Sequence, residues 1–434
     1  MIKKPNGSSR ASAAKVLGEP LTINGVTLKN RFILGPMAVL QPLEDGRPSD
    51  QSIAFLKRRA EGGVSLVFVG GSVATQRAWD ESPFAPNIRF DKEEFIPELA
   101  RLVEEVHASG ALVFAQIFPS FGRMGIPRNG NWPTAASPVP VTIGEHGLPD
   151  NVYIPGGMTT PPAHEATADY IKEIEAAVVT AARIARAAGF DGLEIAAHMC
   201  YFYSSFLSPH ANKRTDKYGG SAKNRARALR DAVHAVRAEV GASFPVGLRM
   251  SVNDHLPGGQ DSEGFAEVAS HIVSAGVDFI ALTDANYESM GHNVTSISGS
   301  MLLHGEPQAF RKAVGNIPLF LSSTTSPQQA AAAIADGVAD ASMLARQLLA
   351  DPDYPAKVLG GRESEIVWCD HSNSCLRSLM TNIPVTCHKN PEMGSESPQA
   401  TRVKAKQKIM VWASGNKPLM SIADRLARAR RSHH

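Results

Sequence analysis

The chain has 434 residues, 43% of them hydrophobic and 20% charged, a balance that excludes a disordered or fibrous protein. A formal charge of +2 provides no global field to gather nucleic acid, and no apolar run approaches the ~20 residues that span a bilayer. Four cysteines in this length exclude a disulfide scaffold and suit the reducing cytoplasm.

Residues 1–20 are basic and rich in small residues, lack the apolar core of a secretory signal, and read as a disordered lead-in. From Leu21 onward, short apolar runs alternate with helical patterns. The first three strands are predicted at Phe32–Leu34, Leu66–Val69 and Leu112–Ala115, with a helix over Pro97–Ser109. A Pro/Gly-rich insertion at 119–165 follows, and segments of that length and composition are commonly lids or binding loops. Helices over Ala166–Ala188, Arg225–Val240 and Glu263–Ala275 then alternate with strands at Gly192–Ile195, Val246–Arg249 and Phe279–Leu282. Strands at Leu319–Leu321 and Ala341–Met343 flank a helix at Pro327–Ala335. Pro97 and Pro327 suit the first helical turn, where no N–H is needed. Eight such alternations predict an α/β fold, a (β/α)8 TIM barrel over residues 21–360 with a C-terminal extension over 361–434. A doubly wound sheet is the alternative, but no GxGxxG turn follows the first strand.

Barrel enzymes collect ligands at the C-terminal ends of their strands. Those positions hold Pro36, Met37 and Ala38, then Gln116, then His198 and Tyr201, then Arg249. Beyond the sixth strand comes the run Thr283 to Glu288, beyond the seventh Ser322 and Ser323, and beyond the eighth Ala345 and Arg346. An amide both donates and accepts, a guanidinium pairs with phosphate, and a phenol of ordinary pKa ≈ 10 keeps its proton at neutral pH.

The segment FLSPHANKRTDKYGGSAKNR, residues 206–225, resembles the corresponding stretch of the old yellow enzyme family, in its 2,4-dienoyl-CoA reductase and trimethylamine dehydrogenase branch. The Pro36-Met37 turn, Gln116, Arg249 within GLRMS, and Arg346 before LLADPDYPAKV are similar to the family at the same strands. The resemblance implies FMN, with the backbone of Pro36, Met37 and Ala38 along the flavin and Gln116 on its pyrimidine edge. It implies Arg249 beside N1 and O2, and Ser322, Ser323, Ala345 and Arg346 around the phosphate. Tyr201 matches the family tyrosine that protonates substrate carbon. Ala196 and Met199 occupy the positions where most relatives carry a polar pair, and His198 falls between them on what reads as the opposite strand phase. Glu288 falls near a catalytic histidine of the branch.

Relatives in this branch carry Cys-x2-Cys-x2/3-Cys-x11-Cys around a [4Fe–4S] cluster. Here Cys369, Cys375 and Cys387 stand in a loop over 369–387, and Ser372 occupies the second position. Serine is a poor ligand for soft metals, so the loop reads either as a labile cluster site or as three buried thiols. Beyond it, Ile409–Trp412 reads as a strand and Pro418–Arg428 as a helix, the remnant of a βα unit without the glycines of a dinucleotide turn. Arg425, Arg428, Arg430 and Arg431 read as a solvated basic face.

The resulting expectation is an FMN-dependent ene-reductase acting on a small molecule. NAD(P)H would be the reductant and Tyr201 the proton donor, with His198 and Glu288 as further catalytic candidates. The alternatives are a dehydrogenase or demethylase oxidising an amine or C–H substrate, and a degenerate barrel serving as a binding subunit. A homo-oligomer or a separate electron-donor protein are the expected partners.

Overall fold

The computed structural model of the chain describes residues 7–144, 148–149, 151–154, 156–295, 300–322, 326–400 and 403–422. All eight expected strands form. They are β1 (Phe32–Leu34), β2 (Leu66–Val69), β3 (Leu112–Ile117), β4 (Gly192–Ala197), β5 (Val246–Ser251), β6 (Phe279–Thr283), β7 (Leu319–Ser322) and β8 (Ala341–Leu344). They pair in parallel in the order β4–β5–β6–β7–β8–β1–β2–β3, and β4 also bonds to β3, which closes the barrel. Most strands outrun their apolar cores by one or two residues. The ladder carries polar residues such as Gln116 and Thr283 as readily as apolar ones.

The interior is layered by the two-residue period of each strand. Its lower layers hold Phe68, Phe114, Phe279 and Phe320 with Ile33 and Leu66, closed from below by Ile23 and Leu28 of a short N-terminal hairpin. Phe279 and Phe320 stack at 4.7 Å. Gly247 creates the room, since a Cβ there would lie 2.2 Å from the Phe279 ring. In the layer above, the same strand phases place Gln116, Glu194 and Arg249. The apolar layers therefore support the site from beneath.

Helices cover the outside: α1 (Gly7–Gly18), α2 (Asp50–Glu61), α3 (Ile96–His107), α4 (Ala168–Ala187), α5 (Arg227–Val240), α6 (Ser262–Val273), α7 (Glu306–Val314) and α8 (Pro327–Ala335). The expected lead-in is thus corrected from residue 7 onward. Helix α1 forms because Ala13 and Leu17 are buried against the barrel, and the Leu17 carbonyl accepts the Arg31 N–H at 2.8 Å.

The insertion over 119–165 forms a cap with two short ladders, Thr142–Ile143 with Met158–Thr159 and Thr134–Ala135 with His164–Glu165. Its Phe121, Met124, Val141 and Ile143 share an apolar cluster with Phe118, Ala196 and Tyr287 at the barrel mouth. Beyond the barrel, helix α9 (Ser374–Met380) packs Leu376, Leu379 and Met380 onto the same cluster. The expected strand at Ile409–Trp412 is instead part of helix α10 (Ala405–Ala413). A lone strand there has no ladder partner, whereas a helix bonds its own backbone and suits Ala-Lys-Gln-Lys. Residues 1–6 and the basic positions Arg425, Arg428, Arg430 and Arg431 lie outside the described residues.

The tail is locked to the barrel wall by an ion pair between Arg59 of α2 and Glu396 at 2.6 Å, with side chains 0% and 4% exposed. Arg59 also donates to the Phe55 and Leu348 carbonyls. Glu396→Ala leaves a buried guanidinium uncompensated and should cost about 3–5 kcal/mol in urea unfolding. Glu392→Ala removes an exposed carboxylate 3.9 Å from Arg58, and should cost less than about 1 kcal/mol.

Candidate active site

At the mouth of the barrel the strand ends surround two adjoining cavities. The larger, about 290 Å³, is lined at its floor by Pro36, Met37 and Ala38 and at its sides by Gln116, His198, Tyr201 and Tyr287. Leu376, Leu379 and Cys375 of α9, with Val385, form its outer wall. The smaller, about 130 Å³, is lined by Arg249, Thr283, Ser322 and Met343. Pro36, Ala345 and Arg346 line both, so the two are continuous along the ends of β1 and β8. Gly71 closes the approach between β1 and β2, at φ +66°, where a Cβ would meet Ala38 Cα at 2.8 Å.

Most of the predicted cofactor residues are thus brought together: Pro36, Met37, Ala38, Gln116, Arg249, Ser322, Ala345 and Arg346. Ser323 lies outside the described residues. The residues present fit a flavin. The Arg249 guanidinium is desolvated, and burial pushes its pKa down while the charge of Glu194 pushes it back up. Its side-chain hydrogen bonds go to the Met343 thioether at 2.9 Å and to Ser322 Oγ at 3.5 Å. Among the described residues no carboxylate lies within 4 Å of it. A buried cation with such weak acceptors suits a ligand that brings acceptor oxygens of its own.

Glu194 was not anticipated, yet it sits at the centre of this layer. It is fully buried, accepts the Gln116 amide at 2.7 Å, and has its second oxygen without a partner. Burial raises its pKa to about 7 against the opposing charge of Arg249. A carboxylate on the inward phase of a strand, two residues before Ala196, was the available signal.

His198 requires a correction. Residues 194, 196 and 198 share one phase, so His198 continues the inward row and lines the larger cavity. Its Nδ1 is buried without a partner, and burial followed by the Arg249 charge holds its pKa well below the usual range. It is therefore a neutral imidazole at neutral pH. Ala196 and Met199 do not line either cavity. Ala196 packs into the cap cluster, and Met199 takes a left-handed backbone at φ 57° with its N–H bonded to Ser251 Oγ.

Tyr201 lines the cavity with its hydroxyl 2.6 Å from that of Tyr287. Phe118 meets its ring edge-on at 4.2 Å. Burial, then Tyr287, raises the Tyr201 pKa well above its ordinary value, so the phenol stays protonated. Tyr287 was also missed, although its place beyond β6 is a strand-end position. Glu288 lies away from the cavities. It accepts from Arg123 at 2.9 Å, His210 at 3.2 Å and the Thr142 N–H at 3.1 Å. Burial opposes its ionisation, but these donors prevail and hold its pKa below the usual range. It ties the cap to the end of β6, and nothing places it against a ligand.

Cys369, Cys375 and Cys387 lie near enough to act electrostatically on one another. Burial raises Cys369 and takes Cys375 to about 11, so both remain thiols. Ser372 holds its hydroxyl 3.3 Å from His388 Nδ1. Three thiols and this hydroxyl do not complete a four-thiolate cluster, and no electron step is assigned through one.

The profile of the NADH:flavin oxidoreductase / NADH oxidase family matches residues 16–365. A metal reductase of Desulforamulus reducens is 33% identical over 92% of this chain and 57% of its own length. A cinnamate reductase of Clostridium sporogenes is 30% identical over 92% of this chain and 61% of its own. Among solved structures, 2-naphthoyl-CoA reductase in complex with 2-naphthoyl-CoA aligns with a TM-score of 0.77 at 28% identity, covering 88% of this chain and 58% of that one. The chain thus spans somewhat more than half the length of these relatives.

The raised pKa of Glu194 makes a linkage prediction. A carboxyl at about 7 when folded and 4.5 when unfolded contributes stability that is full below pH 4.5 and is lost as pH rises to about 7. Urea midpoints measured from pH 4 to 9 should fall across that window in the wild type, and Glu194→Gln should lessen the fall, leaving the share due to Glu81, which burial also takes to about 7.

Proposed function

Because this chain belongs to the NADH:flavin oxidoreductase / NADH oxidase family, we propose that it is an FMN-dependent oxidoreductase. In this reading it reduces a C=C bond conjugated to an electron-withdrawing group, with NAD(P)H as the source of electrons. The observation that carries the proposal is the convergence of a protonated phenol, an amide and a neutral imidazole on one cavity: Tyr201, Gln116 and His198. The Arg249 guanidinium faces the adjoining cavity.

FMN, when bound, supplies the hydride that goes to the β-carbon of the substrate. Pro36, Met37, Ala38 and Gln116 would hold its ring system, and Arg249 would balance the negative charge that reduction places there. Arg346 and Ser322 would hold its phosphate from the ends of β8 and β7. His198, neutral in this setting, is able to donate one N–H to the substrate's electron-withdrawing oxygen, the task that Ala196 and Met199 cannot perform. Tyr201 delivers a proton to the α-carbon, and Tyr287, in contact with its hydroxyl, is placed to replace that proton. The cap and α9 form an apolar wall over the cavity. Named relatives that reduce cinnamate and 2-naphthoyl-CoA support this substrate class.

Anaerobic titration tests the reading. The purified chain should carry FMN, lose its yellow colour with NADH or NADPH, and regain it with a cinnamate-like enoate or an enone. Bleaching by an amine would move the assignment to the dehydrogenase alternative, and a chain that takes up no FMN would remove both. Tyr201→Phe should leave reduction by nucleotide unchanged and slow reoxidation by the alkene by on the order of 10²–10⁴-fold in stopped-flow traces. Equal slowing of both half-reactions would exclude Tyr201 as the proton donor.

A further inference from the structure

Outside the two cavities, a second group of ligating side chains converges at the barrel rim. His255 follows β5, Asp284 directly follows β6, and Glu306 begins α7. One imidazole nitrogen and two carboxylate oxygens from these three lie within 4.8 Å of one another. Asp284 and Glu306 are each only 1% exposed. His255 Nε2 is 2.6 Å from Asp284 Oδ1. Glu306 Oε2 is buried and makes no hydrogen bond. The other Glu306 oxygen is 3.7 Å from His304 Nδ1, beyond hydrogen-bond reach.

Two carboxylates brought this close inside a protein repel each other, and the repulsion is relieved by a proton on one of them or by a cation between them. Burial raises the Glu306 pKa and the Asp284 charge adds to the rise, while its own backbone N–H and the imidazoles of His304 and His255 oppose it. Asp254 also faces His255, and its carboxylate is held by Ser208, Gln260 and Asn286. The His292 ring lies parallel to His255 at 4.2 Å, and two stacked imidazoles resist joint protonation. Burial and the His255 charge accordingly lower the His292 pKa. The backbone is constrained at the same place, since His255 and Ala285 both take left-handed conformations, at φ 50° and 62°.

We propose that His255, Asp284 and Glu306 form a binding site for a single divalent first-row transition-metal cation, with Zn²⁺ the best match. One imidazole and two carboxylates suit Zn²⁺ better than Mg²⁺ or Ca²⁺, which favour all-oxygen shells. Each donor comes from a different element, so the ion clamps the loop after β5, the end of β6 and the first turn of α7. The site is separate from the cysteines of the tail and from the cavity that takes the flavin.

Co²⁺ titration of the full chain, stripped of metal with a chelator, tests this. Stoichiometric binding is expected with weak ligand-field bands, without an intense thiolate charge-transfer band, and with displacement by Zn²⁺. His255→Ala and Glu306→Gln should each weaken binding at least about ten-fold, with circular dichroism unchanged, while Cys375→Ser should leave it unaltered. Absence of stoichiometric binding, a thiolate band, or weakening by Cys375→Ser in place of Glu306→Gln would overturn the proposal. If the variants are insoluble, the wild-type spectrum alone decides between these outcomes.

Discussion

The barrel mouth depends on one buried carboxylate. Glu194 sits where the inward phase of β4 rises out of the aromatic layers, and it must share its charge with a neutral amide and a guanidinium that is itself desolvated. Neither Glu194 nor Arg249 is satisfied by the other groups of this layer. Glu194 has an oxygen without a partner, and Arg249 leans on a thioether and a distant hydroxyl. The apolar layers below cannot relax to accommodate them, because Phe279, Phe320 and Phe114 already fill the lumen around Gly247 and Gly192. The polar layer is therefore held in place from beneath and oriented upward, toward a ligand.

The eight strands could be read from the sequence because each is a short apolar run between turn signals, and closure of a parallel sheet leaves little freedom once their number is known. The strand-end residues followed for the same reason. Only the strand phase of His198 was misread, because a one-residue shift reverses the face and residues 194, 196 and 198 in fact share one. Glu194 escaped notice because it stands alone in an apolar strand, and Tyr287 because the polar run around it drew attention to Glu288. Their importance arises from burial, which no local pattern reports. Glu288 misled in the opposite way, since its position relative to β6 could not reveal that Arg123, His210 and Thr142 of other segments already surround it.

The tail was the hardest part to infer. Helix or strand at Ile409–Trp412 turns on whether a sheet edge is available, a tertiary fact. The short helix α9 likewise gains its meaning only from what it covers. Its Leu376 and Leu379 meet the cap cluster from the opposite side, so cap, barrel and tail share one apolar seam above the site. The Arg59–Glu396 pair anchors the far end of this segment to α2.

That outer wall carries an evolutionary consequence. A substitution at a strand end must satisfy both the hydrogen-bonded ladder and the filled lumen, whereas Leu376, Leu379 and Val385 answer to neither. The cavity can thus be reshaped from a segment outside the strand ladder, while Gln116 and Arg249 stay fixed within it. The shape of the cavity and the frame of the barrel are thus set by different parts of the chain.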